Sequence, residues 1–395
     1  MGEATLPYTK ATLLDTLVSR MSEFGITRLA DVTNLDRIGI PVALAIRPAA
    51  RSVSVSQGKG VDLTIAKISA LMEAIEVWHA ENITLPLTLD SIANVAASGR
   101  AIDVSRLPRI SGEARSPHSR VLWVDGVELR SGRKLLLPFE MVHADYSEPL
   151  KPGYGLFPAS TNGLASGSTN AMALRSALCE VIERDSVAVW SAQSAEARAI
   201  TRIDLTSIDH PIAAATCAKI SDAGLRVAVW DVATDVAVAS FLCLIWEDVA
   251  GLGHIGLGSG THPQRHIALI RALTEAAQTR LTYVTGSRDD LEPAEFTPRG
   301  LMGKRRYVEW LLADSVPPRR YNIGPSFATC APEDQVSYLL DRLAACGMNG
   351  AVAVHLDKPG VGIPVVRVIV PGLEAPHDGP GYVPGPRARA AAEQQ

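Results

Sequence analysis

Residues 60–78 read GVDLTIAKISALMEAIEVW, and this stretch decides the fold because its pattern comes back twice along the chain. Residues 167–185 read GSTNAMALRSALCEVIERD, and residues 260–280 read GTHPQRHIALIRALTEAAQTR. With the three copies anchored on their first glutamate (Glu73, Glu180 and Glu275), an alanine stands seven residues earlier in each: Ala66, Ala173 and Ala268. A second alanine stands three residues earlier (Ala70, Ala177, Ala272) and a leucine two earlier (Leu71, Leu178, Leu273). Three residues after the glutamate comes a further oxygen-bearing side chain, Glu76, Glu183 or Gln278. The leading glycine lies thirteen residues ahead in the first two copies and fifteen ahead in the third. Repetition of this kind indicates three related loop-to-helix units arranged around shared space.

Helix geometry turns the pattern into chemistry. Residues i and i+3 lie on one helix face, so Glu73 with Glu76, Glu180 with Glu183, and Glu275 with Gln278 each present two oxygen-bearing groups together. A single ExxE pair is ordinarily a solvated face. These helices are otherwise apolar, and three solvated faces have no reason to share flanking alanines and leucines. If the helices converge, up to five carboxylates meet and raise one another's pKa unless a cation is present. Mg2+ is the economical cation, a hard ion that prefers oxygen and works with phosphates. Each helix is expected to be entered from a glycine-containing loop (SQGKG, NGLASGSTN, GLGSGT), where backbone amides favour anions. Lys59 lies in the first loop, and Arg184, Arg280 and Arg288 follow the acids. Acids, metal, cations and amide-rich loops together describe a nucleoside triphosphate site. It is not a P-loop, because SQGKGVD lacks the spacer between glycines that GxxxxGK[ST] requires.

Outward from the repeats, the chain reads as an α/β (mixed α+β) protein. Helical spacing occupies residues 11–24, 63–81, 171–190 and 265–285, and alternating runs occupy 38–56, 121–137 and 225–247. Loops are expected over 151–170 and 251–260. Past Pro371 the tail, rich in Pro, Gly, Arg and Ala, reads as extended or disordered rather than packed. The organisation expected is an N-terminal segment 1–44, a catalytic domain 45–375 and a flexible tail 376–395.

Bulk properties narrow the function. The 395 residues are 47% apolar and 20% charged, enough for a large core, and the formal net charge of -4 argues against a general nucleic-acid or anionic-membrane surface. Five scattered cysteines (Cys179, Cys217, Cys243, Cys330, Cys346) form no CxxC pair and read as reduced thiols. No signal peptide is visible, and no run approaches the roughly 18 apolar residues of a membrane span. A soluble cytoplasmic protein is expected. His79, His143, His254 and His262 lack partners at metal spacing and read as structural or exposed, and Trp78 and Trp190 as core anchors.

The motifs SVSQGKGVDLTIAKISALMEAIE, ASTNGLASGSTNAMALRSALCEVIERD and RALTEAAQTRL followed by GSRDD resemble the YcaO family, as does PVVRVIVPGLE near the C-terminus. The resemblance runs from about residue 45 to 375. It implies an α/β domain with repeated subdomains around a central ATP site, often a homodimer. It implies ATP with Mg2+, used to phosphorylate the oxygen of a backbone amide, after which a nucleophile attacks the carbon and phosphate leaves. Carried over by motif, Ser69, Glu73 and Glu76 form the first element, and Ser176, Glu180, Glu183 and Arg184 the second. Glu275, Gln278 and Arg280 form the third, with Lys59 and Arg288 approaching phosphates. The five glutamates are assigned to metal. Arg184, Arg280 and Glu183 are assigned to catalysis. Val77 stands where the family often has an arginine after the second acid, so a contact there is missing or supplied elsewhere.

The nucleophile decides the product: sulfide gives a thioamide, a neighbouring Cys, Ser or Thr an azoline, an amine an amidine. No extra leader-binding domain is seen before the core, and Pro384 and Pro386 only faintly echo the PxPxP tail of ring-forming members. The chain looks more like the YcaO proteins that form thioamides on a peptide or protein beside a TfuA-like partner. An azoline-forming cyclodehydratase, an ATP-dependent small-molecule ligase and a non-catalytic scaffold are the alternatives.

Overall fold

The three repeat helices span Leu63–Glu81, Asn170–Ala192 and Arg265–Thr285, where the spacing of their apolar residues puts them. This computed structural model describes residues 10–110, 116–149, 154–247, 254–312, 316–376 and 381–393. The chain divides into two compact units interleaved in sequence, one of Met1–Ala74, Gln193–Ala233 and Val238–Ala328, the other of Ile75–Ala192, Thr234–Ala237 and Thr329–Gln395.

In the first unit, the strands Arg28–Asp31, Val42–Ile46 and Val55–Lys59 form an antiparallel sheet in that order. A second antiparallel sheet places Ser240–Trp246 between Arg226–Asp231 and Gly256–Thr261. Short parallel strands, Ile203–Asp204 and Arg319–Arg320, complete the unit. The helix Arg265–Thr285 buries Ala268, Leu269, Ala272, Leu273 and Ala276 with Phe241 and Cys243 of the second sheet. Leu281, further along the same helix, is buried with Val42, Leu44 and Val55 of the first.

Glycine and alanine in the repeat are explained here by packing. A Cβ on Gly58 would lie 2.0 Å from the Ala70 nitrogen and 2.1 Å from the Ala66 oxygen. A Cβ on Gly260 would lie 2.5 Å from the Ala272 nitrogen and 2.2 Å from the Ala268 oxygen, the same offsets along the chain. Strand and helix therefore touch backbone to backbone, and only glycine facing alanine permits it. Gly58, rather than Gly60, is the counterpart of Gly260, which corrects the uneven glycine spacing of the sequence reading. Gly60 instead matches Gly167, each lying against the backbone nitrogen of the repeat's first alanine, Ala66 or Ala173. The glycine-rich segments are correspondingly strands: SQGKG lies mostly in Val55–Lys59, GLGSGT is Gly256–Thr261, and Leu164–Ser166 interrupts the loop expected over 151–170. Residues 248–253 and 150–153 lie outside the described residues.

In the second unit, the strands run Leu87–Ser91, Arg120–Glu128, Val352–His355, Val365–Ile369 and Leu164–Ser166, with Lys134–Pro138 paired on Arg120–Glu128 as the expected hairpin. The helix Asn170–Ala192 packs on the last two strands and against the helices Pro332–Ala345 and Pro386–Glu393. That last helix overturns the expectation of a disordered tail. Asp185, fully buried, accepts from Arg387 Nε at 2.8 Å and from the Glu374 amide at 2.9 Å. Buried Glu374 in turn accepts from the amides of Gly385 and Ala388 at 2.7 and 2.9 Å. Composition suggested disorder because it cannot register one arginine that meets a buried acid.

Candidate active site

The first unit assembles one group of the expected residues. Lys59 ends the strand Val55–Lys59 and donates to Glu275 and, at 3.2 Å, to Gln278 Oε1. Gln278 Nε2 donates to the Gln57 carbonyl, and the Thr282 hydroxyl to the Gln57 side chain. The Gln57 amide lies 3.4 Å from Glu73 Oε1, and the Ser259 amide 3.2 Å from Glu275 Oε1. These two contacts span the same sixteen residues, so the first and third repeats hold their leading glutamate in the same way. Ser259 adds its hydroxyl at 3.3 Å. Neither Gln57 nor Ser259 was singled out from sequence; their place just ahead of the packing glycine was the available signal.

Electrostatics mark Glu73. Glu73 is half-buried, and the protein around it removes part of the water its carboxylate would otherwise hold. That desolvation pushes its pKa up; Lys59, Arg288 and the Gln57 amide pull it back, and Glu275 adds to the rise. Arg288 is thus within electrostatic reach of Glu73 while holding Asp290 through Nε at 2.8 Å. Ser69 sits one turn before Glu73, half-buried. Oxygen donors in a desolvated setting beside cations fit a hard metal and its phosphates.

Arg280 does not join this group. Its Nε donates to Asp36 Oδ2 at 2.8 Å, its Nη1 to the His254 carbonyl, and its Nη2 to Asp36 and Glu247 at 3.4 Å. Both Arg280 and Asp36 are nearly closed to solvent. Five residues beyond Glu275, Arg280 is carried round to another face of the helix. In this structure Arg280 thus stands with Asp36, Glu247 and the His254 carbonyl rather than with Lys59 and Glu275.

The second unit carries the other group. Glu76 accepts from the Ser166 amide at 2.8 Å and the Ser166 hydroxyl at 2.6 Å. The two acids expected side by side on the first helix therefore have separate holders, Gln57 for Glu73 and Ser166 for Glu76. On the second helix Glu183 is buried, Glu180 and Ser176 half-buried, and Arg184 exposed. Among the described residues of either unit, no three acidic, histidine or cysteine side chains stand together at metal-ligating spacing. His79 and His143 are buried, His79 Nδ1 lying 2.8 Å from the Ile75 carbonyl and His143 stacked on Tyr154. Trp190 is buried core, as expected. No helix among the described residues is long and apolar enough to cross a membrane.

Comparison with known proteins gives the family and the fold. The model of the YcaO family, described as an ATP- and Mg2+-binding cyclodehydratase, matches residues 57–374. The uncharacterized protein in the tfuA 3′ region of Rhizobium leguminosarum bv. trifolii is 34% identical over 93% of this chain and 88% of its own length. A Methanothermobacter thermautotrophicus protein is 33% identical over 90% of this chain and 91% of its own. Among solved structures, a heterocyclase in complex with substrate and cofactor superposes with a TM-score of 0.78 at 20% identity, covering 95% of this chain and 54% of that one. YcaO from Methanopyrus kandleri, bound with AMPPCP and Mg2+, superposes with a TM-score of 0.71 at 22% identity, covering 93% and 91%. At these identities the two structures speak for the fold.

Proposed function

This chain belongs to the YcaO family, and on that footing we propose that it activates a peptide-backbone amide by phosphorylating its oxygen. The family binds ATP and Mg2+. Bound, ATP supplies the phosphoryl group and Mg2+ offsets charge developing on its oxygens. The residues that would hold the metal are Glu73, Glu275, Glu76, Glu180 and Glu183. Lys59, Arg288, Gln278, Ser69 and Ser176 would orient the nucleotide, and Arg184, exposed beside Glu183, would stabilise charge on the reacting groups.

The observation that carries this reading is the Lys59–Glu275–Gln278–Gln57–Glu73 network. It gathers a carboxyl with a raised pKa and two cations from elements far apart in sequence, the kind of setting in which perturbed acids cluster at functional sites. In the reaction, the amide oxygen takes the terminal phosphoryl group of ATP, and ADP leaves. A nucleophile then adds to the amide carbon, and the carbon–oxygen bond breaks with release of phosphate.

The nucleophile we propose is sulfide, giving a thioamide on a ribosomal peptide or a protein, with a TfuA-like protein as partner and a homodimer as the working form. Support comes from the relative in a tfuA 3′ region. The test is incubation with ATP, Mg2+, sulfide and candidate peptides, with and without a TfuA-like protein, followed by mass spectrometry. Replacement of oxygen by sulfur supports thioamidation. Loss of one water at a Cys, Ser or Thr means azoline formation instead. ATP turnover raised only by small molecules points to a ligase, and no nucleotide binding to a scaffold.

A further inference from the structure

The helix Pro298–Leu311 of the first unit buries Leu301, Val308 and Leu311. On its other side Arg299, Gly303, Arg306 and Trp310 follow at steps of four, three and four residues, which lines them up along one helix face. Met302 borders this stripe. Arg299 and Arg306 are exposed, Met302 is 49% exposed and Trp310 41%. Arg305, beside them, is engaged by Glu309 at 3.2 Å, whereas Arg299 and Arg306 enter no ion pair among the described residues.

The face is ordered in advance of any contact. The Arg198 guanidinium lies over the Trp310 ring at 3.8 Å, and Tyr307 stacks against Trp310 with ring centroids 5.5 Å apart. A tryptophan held in this way loses little freedom when something covers it. Arg, Trp and Met are the side chains enriched at protein interfaces, and Trp and Arg are their usual anchors. Gly303 lies within the stripe with nothing within 4 Å of an added Cβ, so a second helix can approach closely there. On the inward side Lys304 bridges to Glu295 at 3.3 Å and lies over the Tyr283 ring. That ties the helix to the end of Arg265–Thr285, which carries Glu275 and Gln278.

Charge selects the occupant. The helix carries four cations against one acid, Glu309, on a chain whose formal net charge is -4. A second copy packed two-fold through this face would set the arginines against themselves. A membrane surface needs a broad apolar face, and this helix has committed Leu301, Val308 and Leu311 to the core. A nucleic acid is met by an unbroken run of cations, and here Met302 and Glu309 interrupt it. What remains is a convex ridge of apolar and cationic groups at helical spacing, which an acidic amphipathic helix complements.

We propose that the outward face of Pro298–Leu311 is a docking surface for a partner protein that presents an amphipathic helix with acidic residues flanking an apolar stripe. The apolar stripe covers Met302 and Trp310 across Gly303, and the acids pair with Arg299 and Arg306. The partner is thereby seated on the unit that holds Lys59 and Glu275.

The test is fluorescence anisotropy of the full chain with two labelled helical peptides, one of Glu and Leu and one of Lys and Leu in the same pattern. The acidic peptide is expected to bind about tenfold more tightly than the basic one, and added salt to weaken it. Equal binding, or preference for the basic peptide, overturns the proposal. In the double variant Arg299→Glu with Arg306→Glu, verified as folded by circular dichroism, the preference is expected to reverse. A folded double variant that keeps the wild-type preference overturns the proposal as well. So does single-stranded RNA, or a phosphatidylserine vesicle, that binds wild type more tightly than the acidic peptide and is lost in the double variant. A dimer in sedimentation that the double variant dissociates would give the face to a second copy and overturn it too.

Discussion

Lys59 donates to Glu275, a carboxylate 216 residues further along the chain, and the same ammonium reaches Gln278. Both partners are partly open to solvent, at 20% and 29% side-chain exposure, so the pair adds little stability and its value lies in placement. Lys59→Met is expected to cost about 1 kcal/mol in urea unfolding. It is expected to weaken Mg2+–ATP analogue binding by about tenfold, or about 1.4 kcal/mol. Unchanged affinity in the folded variant would remove Lys59 from the site.

Gly58 tests the packing explanation of the repeat. An added methyl meets the Ala70 and Ala66 backbone at 2.0 and 2.1 Å, and backbone cannot rotate aside as a side chain can. Gly58→Ala is expected to cost about 3 kcal/mol or more, beyond ordinary overpacking of side chains. Gly303, with nothing within 4 Å of an added Cβ, is the control. Within the helix Pro298–Leu311, Gly303→Ala should stabilise by about 0.5–1 kcal/mol. Equal thermal midpoints for the two variants would refute the backbone-contact reading.

Arg387 tests the tail. It is the charge partner of fully buried Asp185, so Arg387→Met leaves a buried acid uncompensated and is expected to cost about 3–5 kcal/mol. Burial already pushes the Asp185 carboxyl up, and Arg387 is the main influence opposing it. Without Arg387 that carboxyl rises further. An acid whose folded pKa exceeds its unfolded value loses stability as pH rises through the folded value. The deficit of Arg387→Met should therefore be largest near neutral pH and shrink on acidification. A deficit that grows on acidification would contradict this pairing.

Thiol chemistry separates the cysteines. Cys179, Cys217 and Cys243 are buried, and burial alone pushes the Cys217 thiol up to about 12. Cys330 is exposed. A water-soluble thiol reagent at pH 8 should label Cys330 quickly and leave those three untouched until urea unfolds the chain. Early labelling of Cys217 would mean that its region opens readily.

Much of this was legible in the sequence because it is local. The helices Leu63–Glu81 and Arg265–Thr285 and the hairpin 120–138 follow from periodicity and turn residues, and the family from three ordered motifs. What escaped depends on three-dimensional neighbours. Arg280 and Arg288 look alike in sequence, yet Arg280 turns to Asp36, which no spacing rule links to it. Glycines beside alanines suggested phosphate loops, whereas Gly58 and Gly260 are strand positions shaped by helices lying on them. Arg387 lies in a segment whose composition signals disorder, and only its encounter with Asp185 fixes it.

The most direct test of ATP and Mg2+ use through the acidic helices is calorimetric titration of Mg2+ with a non-hydrolysable ATP analogue. Wild type is compared with Glu180→Ala and Glu183→Ala, each verified as folded. The expected result is saturable binding to wild type that depends on Mg2+ and is lost in both variants. Wild type that binds nothing, alone or with a TfuA-like protein present, or variants that bind as well as wild type, would contradict it.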